Sequence, residues 1–245
     1  LCKNVSRETS LFVENVLKTL ELERPDCLVC LNGVLPERDT LFLLQTYSIP
    51  FIAADGAANK LKALDFTPEY IVGDLDSLHQ EHDEGFSHWQ QQGVSIVHID
   101  DQNSTDFEKC LEFVLARHLR NVLVCGLHGG DLDHTLNNWS IVMRYGRRMN
   151  LAIYDAGKIG VPLYEDFKGV RITTSQGAMV SLIPQPKAVL TTHGLQWDLS
   201  NESLELGVRE GARNRAVREQ VHLYLHHGSL FVVMEASLPT MPRVC

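Results

Sequence analysis

The sequence predicts an α/β class protein: an N-terminal parallel-sheet α/β domain followed by a C-terminal antiparallel β-sandwich. Three observations predict it. Short apolar runs alternate with amphipathic stretches from residue 27 to about 154. Beyond Asp155-Ala156-Gly157 the apolar runs are short, often alternating, and separated by Gly, Pro, Asn and Ser. The 245 residues are 44% hydrophobic and 22% charged, which suits a folded chain with a sizeable core in one or two domains.

The elements follow in order. Residues 6–22 read as an amphipathic helix, with Leu11, Val13, Val16, Leu17 and Leu20 on its apolar side. Strand-like runs lie at 27–32, 50–54, 70–72, 94–99, 121–126 and 150–154. Helical stretches at 38–47, 57–64, 78–92, 104–119 and 132–148 separate most of them, as a parallel sheet covered by helices requires. The later runs fall at 170–173, 179–183, 188–192, 203–206, 220–226 and 229–235. His226-His227-Gly228-Ser229 reads as a hairpin turn between the last two. The expected domains are 1–155, led by a helix within 1–24, and 156–245, with the boundary near 155–168.

Composition excludes some functions. Lys+Arg number 22 and Asp+Glu 31, a formal net charge of −9. Without a basic surplus to offset phosphates, nucleic-acid binding is not expected. A nucleotide enzyme stays open, because a bound divalent cation inverts the local charge. No apolar run reaches membrane-span length. Leu1-Cys2-Lys3-Asn4 has no signal-peptide pattern and no initiator Met, so the natural N-terminus is expected upstream. The six cysteines stand at 2, 27, 30, 110, 125 and 245. Cys27-Leu28-Val29-Cys30 has CxxC spacing, but residues three apart on a strand point to opposite faces, so buried thiols are expected. This fits a reducing, cytoplasmic compartment. Of the late histidines, His222 and His226 share a strand face and His227 does not, which argues against a three-histidine zinc site.

The aspartates carry the functional signal. Asp55 follows Pro50 to Ala54; Asp74 and Asp76 follow Tyr70-Ile71-Val72; Asp100, Asp101 and Asp106 follow Val94 to Ile99; Asp131 and Asp133 follow Val122 to Gly126. Each group sits just past the carboxyl end of an expected strand, the edge where open α/β sheets bind ligands. Any one of these residues also suits a helix cap or first turn. Taken together they need relief: at 4 Å two like charges cost roughly 4 kcal/mol at an effective dielectric of 20. A hard cation with oxygen ligands relieves this, and Mg²⁺ is the usual one where phosphates share the site. Gly56-Ala57-Ala58 and Gly126 to Gly130 are small-residue turns into helices, which let backbone N–H groups approach an anion. There is no GxxxxGK[ST] and no GxGxxG after the first strand, against a P-loop or a dinucleotide fold.

These pieces resemble the thiamine pyrophosphokinase family in its motif order: Asp55-Gly56-Ala57-Ala58-Asn59-Lys60-Leu61, Gly73-Asp74-Leu75-Asp76-Ser77, Asp101 to Cys110 with its Gln102, Thr105, Asp106 and Lys109, Gly129-Gly130-Asp131-Leu132-Asp133-His134, and Thr191 to Leu199. The resemblance implies transfer of a pyrophosphoryl group from ATP to thiamine, giving thiamine diphosphate and AMP. It further implies Mg²⁺ as cofactor and a homodimer whose site forms between one subunit's α/β domain and the other's sandwich. Carried over by position, Asp74, Asp76 and Asp106 hold the metal and ATP phosphates, and Asp55 and Asn59 line the nucleotide site. Gln102 and Thr105 contact phosphate, Asp133 stands by the reacting groups, and Trp197 stacks on thiamine with Leu195 and Asn214 nearby. Lys109 supplies positive charge, and His134 is expected near the phosphates. Asp133 or Asp76 is the expected acceptor of the hydroxyl proton.

The chain departs from the family pattern twice. Asp131 stands where the family has Arg, and Arg213 where it has Ser. Two alternatives therefore stay open at this point: a divergent member acting on another small alcohol, or a catalytically weakened nucleotide- or thiamine-binding protein.

Overall fold

The structure, a computed structural model, describes residues 18–76 and 84–244. The chain divides into two compact units. One is Glu23–Val161 with Ala236–Met241; the other is Pro162–Glu235 with the segments ending at Leu22 and starting at Pro242. The expected helix over 6–22 is corrected at its end. Lys18–Glu23 is a strand, β1, and the rest of that expectation lies outside the described residues.

The first unit is a sheet with helices. Its strands are β2 (Cys27–Cys30), β3 (Phe51–Ala54), β4 (Tyr70–Gly73), β5 (Ser95–His98), β6 (Asn121–Cys125), β7 (Asn150–Asp155) and β8 (Lys158–Tyr164). Their order is β8-β7-β6-β2-β3-β4-β5. All pairs are parallel except the hairpin β7–β8. Every residue of β2, β3 and β6 is buried, which explains their unbroken apolar sequence. The helices are α1 (Arg38–Thr46), α2 (Ala57–Ala63), α3 (Glu84–Gln91), α4 (Asp106–Ala116) and α5 (Leu132–Tyr145). The chain runs outward through β3, β4 and β5, then returns to lay β6 on the other side of β2. That reversal between β2 and β6 is a topological switch point, where the loops at the strands' carboxyl ends part and leave a crevice. Cys27, Cys30, Cys110 and Cys125 are all buried free thiols, as the strand spacing predicts.

The second unit is mainly antiparallel. β9 (Gly169–Thr173), β10 (Met179–His193), β11 (Glu202–Glu205), β12 (Gly211–Arg215) and β13 (Gln220–Glu235) are joined by β14 (Met241–Val244). β13 pairs with β9 and β10, β10 also pairs with β11 and β12, and β1 adds in parallel to β9. The hairpin turn expected at 226–229 is corrected: β13 runs through it unbroken. Gly228 instead pairs with Ala188 at φ +84, where a side-chain carbon would meet the Lys187 carbonyl at 2.1 Å, and the register shifts on either side of it. β10 likewise runs through Pro184 to Lys187, with its register shifting beside that pair. No helix among the described residues is long and apolar enough to cross a membrane.

Candidate active site

The strand ends of the first unit open into a cleft of about 620 Å³. Asn32 follows β2, Gly56 follows β3, Asp74 follows β4, and Thr105, Asp106 and Lys109 come from the start of α4. Asp133 and His134, in the first turn of α5, complete the rim. The loops after β2 and β6 are laced together: the Gly33 and Val34 amides donate to the carbonyls of Gly126 (3.0 Å) and His128 (2.7 Å).

Local sequence explains how α4 presents its acid. Thr105 is the N-cap, and Thr105 and Glu108 form a reciprocal capping box. Asp106 is thereby freed from capping and sits in the first helical turn. Asp101 is used differently. Its carboxylate accepts from the Asn103 amide (2.9 Å) and the Ser104 hydroxyl (2.8 Å), so it builds the loop before the helix.

Asp55, Asp74 and Asp106 converge, with carboxylate oxygens all within 4.8 Å of one another. Asp55 is only 1% exposed. Gly73 permits the approach. A carbon added there would lie 2.8 Å from Asp55 Cβ and 3.1 Å from Asp106 Oδ1. The Lys109 ammonium donates to Asp74 Oδ2 at 2.9 Å and Asp106 Oδ1 at 3.2 Å, with its side chain 2% exposed. The hydrogen bond from Lys109 holds the Asp74 carboxyl below the usual carboxylate range. Burial pushes Asp106 above that range, against the pull of Lys109. Burial also works against the charge on Lys109, but its bonds to Asp74 and Asp106 outweigh it and raise the amine. Asp74 and Asp106 share one ammonium, and the Asp55 carboxylate lies beside them. A hard divalent cation with oxygen ligands fits this donor set.

Gly73→Ala tests the tightness of the cluster. Overpacking is expected to cost about 1–3 kcal/mol in denaturant melts. Spreading the acids is expected to lower cation-dependent activity roughly 10–100-fold. Unchanged activity would mean the acids need not lie so close.

The other expected residues distribute as follows. Thr105, Lys109, Asp133 and His134 line the cleft with Asp74 and Asp106. Asp76 is exposed and outside the three-acid group, though its amide approaches Asp74 Oδ1 at 3.4 Å. Asn59, half-buried on α2, and Gln102, exposed before α4, do not line the cleft. Asp131, Asp133 and His134 form a second group, all exposed, with ligand atoms within 4.8 Å. His222, His226 and His227 form no such group among the described residues. The cleft also uses three carboxamides that the sequence reading passed over, Asn32, Asn137 and Asn138. Asn137 and Asn138 lie one helical turn after Asp133 and His134, a spacing that marks one helix face.

The second unit presents an aromatic face. Trp197 is 59% exposed, beside a hollow of about 230 Å³ lined by Leu182, Leu199, Leu204 and Asn214 among others. Asn214 and Leu195 are buried, at 5% and 3% exposure. Arg213 is exposed at φ +60, its amide donating to the Ser181 hydroxyl at 2.9 Å.

Comparison with known proteins agrees in both units. Residues 43–154 match the family described as thiamin pyrophosphokinase, catalytic domain, and residues 165–230 match thiamin pyrophosphokinase, vitamin B1 binding domain. Thiamine pyrophosphokinase 2 of Arabidopsis thaliana is 28% identical over 204 residues, covering 74% of this chain and 75% of its own length. Thiamine pyrophosphokinase 1 of Oryza sativa subsp. japonica is 29% identical over 196 residues, covering 70% and 74%. The solved thiamin pyrophosphokinase from Candida albicans aligns with a TM-score of 0.73 at 16% identity, covering 91% of this chain and 94% of that one, a likeness of fold. With its acidic cleft inside the catalytic match and its exposed tryptophan inside the vitamin-binding match, the chain belongs to the thiamin pyrophosphokinase family.

Proposed function

We propose that this chain transfers the pyrophosphoryl group of ATP to thiamine, giving thiamine diphosphate and AMP. The observation that carries this reading is that Asp74, Asp106 and Lys109 line a cleft of small-molecule size, bonded to one another, with the buried Asp55 carboxylate converging on the two acids. Phosphoryl transfer asks little covalent chemistry of a protein; it asks for alignment and charge neutralisation.

Asp74, Asp106 and Asp55, extended by Asp76, would hold Mg²⁺. Bound there, the ion would neutralise charge on the phosphates of ATP. Lys109 holds the Asp74 and Asp106 carboxylates in place and adds a fixed positive charge. Thr105, Gln102 and His134 are proposed to contact the phosphates, and Asn59 the nucleotide. Asp133 or Asp76 takes the proton of the thiamine hydroxyl as the new bond forms. The Trp197 face suits a cationic heteroaromatic ring, with Leu195 and Asn214 supporting it. The buried free thiols suit a reducing, cytoplasmic setting.

The direct test incubates purified protein with ATP, Mg²⁺ and thiamine. Equal amounts of AMP and thiamine diphosphate are expected. AMP appearing only with a different alcohol, or ATP binding without either product, would refute the reading.

The protein is further proposed to act as a homodimer with each site completed by both copies. Refolding Asp74→Asn and Trp197→Ala chains together is then expected to restore about a quarter of wild-type activity. Half of the randomly formed dimers are mixed, and each mixed dimer rebuilds one of its two sites. If a single copy completes each site, the mixture stays inactive.

A further inference from the structure

We propose that Asn214 is a positioning residue: its carboxamide fixes the backbone of Trp197 so that the indole stands ready as a ring-stacking face, and Asn214 itself does not touch the substrate. This rests on the reading of Trp197 as the thiamine face.

The Trp197 amide donates to Asn214 Oδ1 at 3.2 Å, and Asn214 Nδ2 donates to the Trp197 carbonyl at 2.9 Å. Asn214 Oδ1 also accepts from the Arg215 amide at 2.9 Å. A carboxamide oxygen has two acceptor sites, and both are filled here. Asn214 is 5% exposed at the wall of the hollow, with both acceptor sites and one of its two donors already engaged. A carboxamide is also the side chain that can accept from one peptide group and donate to the same residue's carbonyl. Both backbone polar groups of Trp197 are thus satisfied by Asn214, which fixes the direction in which the side chain leaves the loop.

The flanking loop is tied independently. Asp198 accepts from the amides of Gly194 (3.2 Å) and Leu195 (3.0 Å) and from the Thr192 hydroxyl (3.1 Å). Thr192 Oγ1 in turn accepts from the Leu199 amide at 2.8 Å. The ends of the loop therefore hold without Asn214, and the clamp acts on its tip. An indole left mostly in water beside the leucines Leu182, Leu199 and Leu204 of the hollow has a driving force to fold over them, because burial of apolar area is favourable. The clamp opposes that movement.

The test compares Asn214→Leu, Asn214→Asp, Trp197→Ala and the Asn214→Leu/Trp197→Ala double variant. Asn214→Leu is expected to raise KM for thiamine about tenfold, with kcat and KM for ATP within about twofold. Asn214→Asp keeps both acceptances and loses the donor, so a smaller rise of the same kind is expected; it also serves if Asn214→Leu does not fold. The double variant is expected to be no worse than Trp197→Ala alone. Without substrate, acrylamide quenching of tryptophan emission is expected to fall in the Asn214 variants as the indole turns inward. Additive losses in the double variant would mean that Asn214 touches thiamine, and would overturn the proposal. Wild-type quenching would overturn the clamp whatever thiamine does. A normal thiamine KM in Trp197→Ala would remove the thiamine face itself and leave the clamp without its proposed purpose.

Discussion

Asp74→Asn is expected to lower metal-dependent turnover by about 10³-fold while the protein stays folded. The substitution keeps the shape of the side chain and removes its charge. Asp74 is one of three acids whose oxygens meet within 4.8 Å, and the Lys109 hydrogen bond holds its carboxyl below the usual carboxylate range. It is therefore ionised throughout the neutral range and always available to a cation. The loss corresponds to roughly 4 kcal/mol of transition-state stabilisation. The stability cost is smaller, about 1 kcal/mol, because Lys109 keeps its bond to Asp106 and the asparagine stays partly hydrated. AMP release measured against Mg²⁺ concentration, with a circular dichroism melt alongside, separates the two effects. Near-normal turnover would remove Asp74 from the metal site.

Much of this arrangement could be read in the sequence, because local chemistry decided it. The parallel strands are short and buried on both faces, so they read as uninterrupted apolar runs. The helix expected over 104–119 is found as α4, and its start is fixed by a capping box of Thr105 with Glu108 that the apolar spacing does not reveal. Side-chain direction was not legible. Spacing pairs Asp74 with Asp76, yet Asp55 joins the group, because the missing side chain at Gly73 lets two neighbouring strand ends bring their acids together. Asn32 enters the cleft from the loop after β2 without any motif. Strand length failed for a related reason. Pro184 to Lys187 and Gly228 are chain breakers in isolation, but Gly228 pairs with Ala188 next to the register shift that takes up Gln185 to Lys187, so both strands run on. At Lys18–Glu23 the alternation of Leu20 and Leu22 was present, but it continued an apolar stretch with helical spacing and was read with it.

Lys109→Met is expected to destabilise the metal-free protein by about 3 kcal/mol, and Mg²⁺ is expected to return much of that loss. The two side chains are similar in length, so the buried stem keeps its packing. What disappears is the ammonium that bonds Asp74 and Asp106. Asp74 and Asp106 then lose the ammonium they share, while their oxygens stay within 4.8 Å of each other and of Asp55. The direction with pH follows from the two carboxyls. Asp74 is depressed in the folded protein, so its contribution is present above its unfolded pKa and is lost as pH falls through the folded value. Removing Lys109 removes that contribution at neutral pH and changes little in strong acid. Asp106 is raised by burial, so its ionised form costs stability, and the cost is withdrawn as pH falls through its folded value. Without Lys109 that cost grows. Both effects make the gap between variant and wild type wider at neutral pH and narrower in acid. Urea melts at about pH 3 and about pH 7, each with and without Mg²⁺, read this directly. A gap that ignores both pH and Mg²⁺ would mean that Lys109 acts through packing, and that the three acids do not form one cation-binding unit.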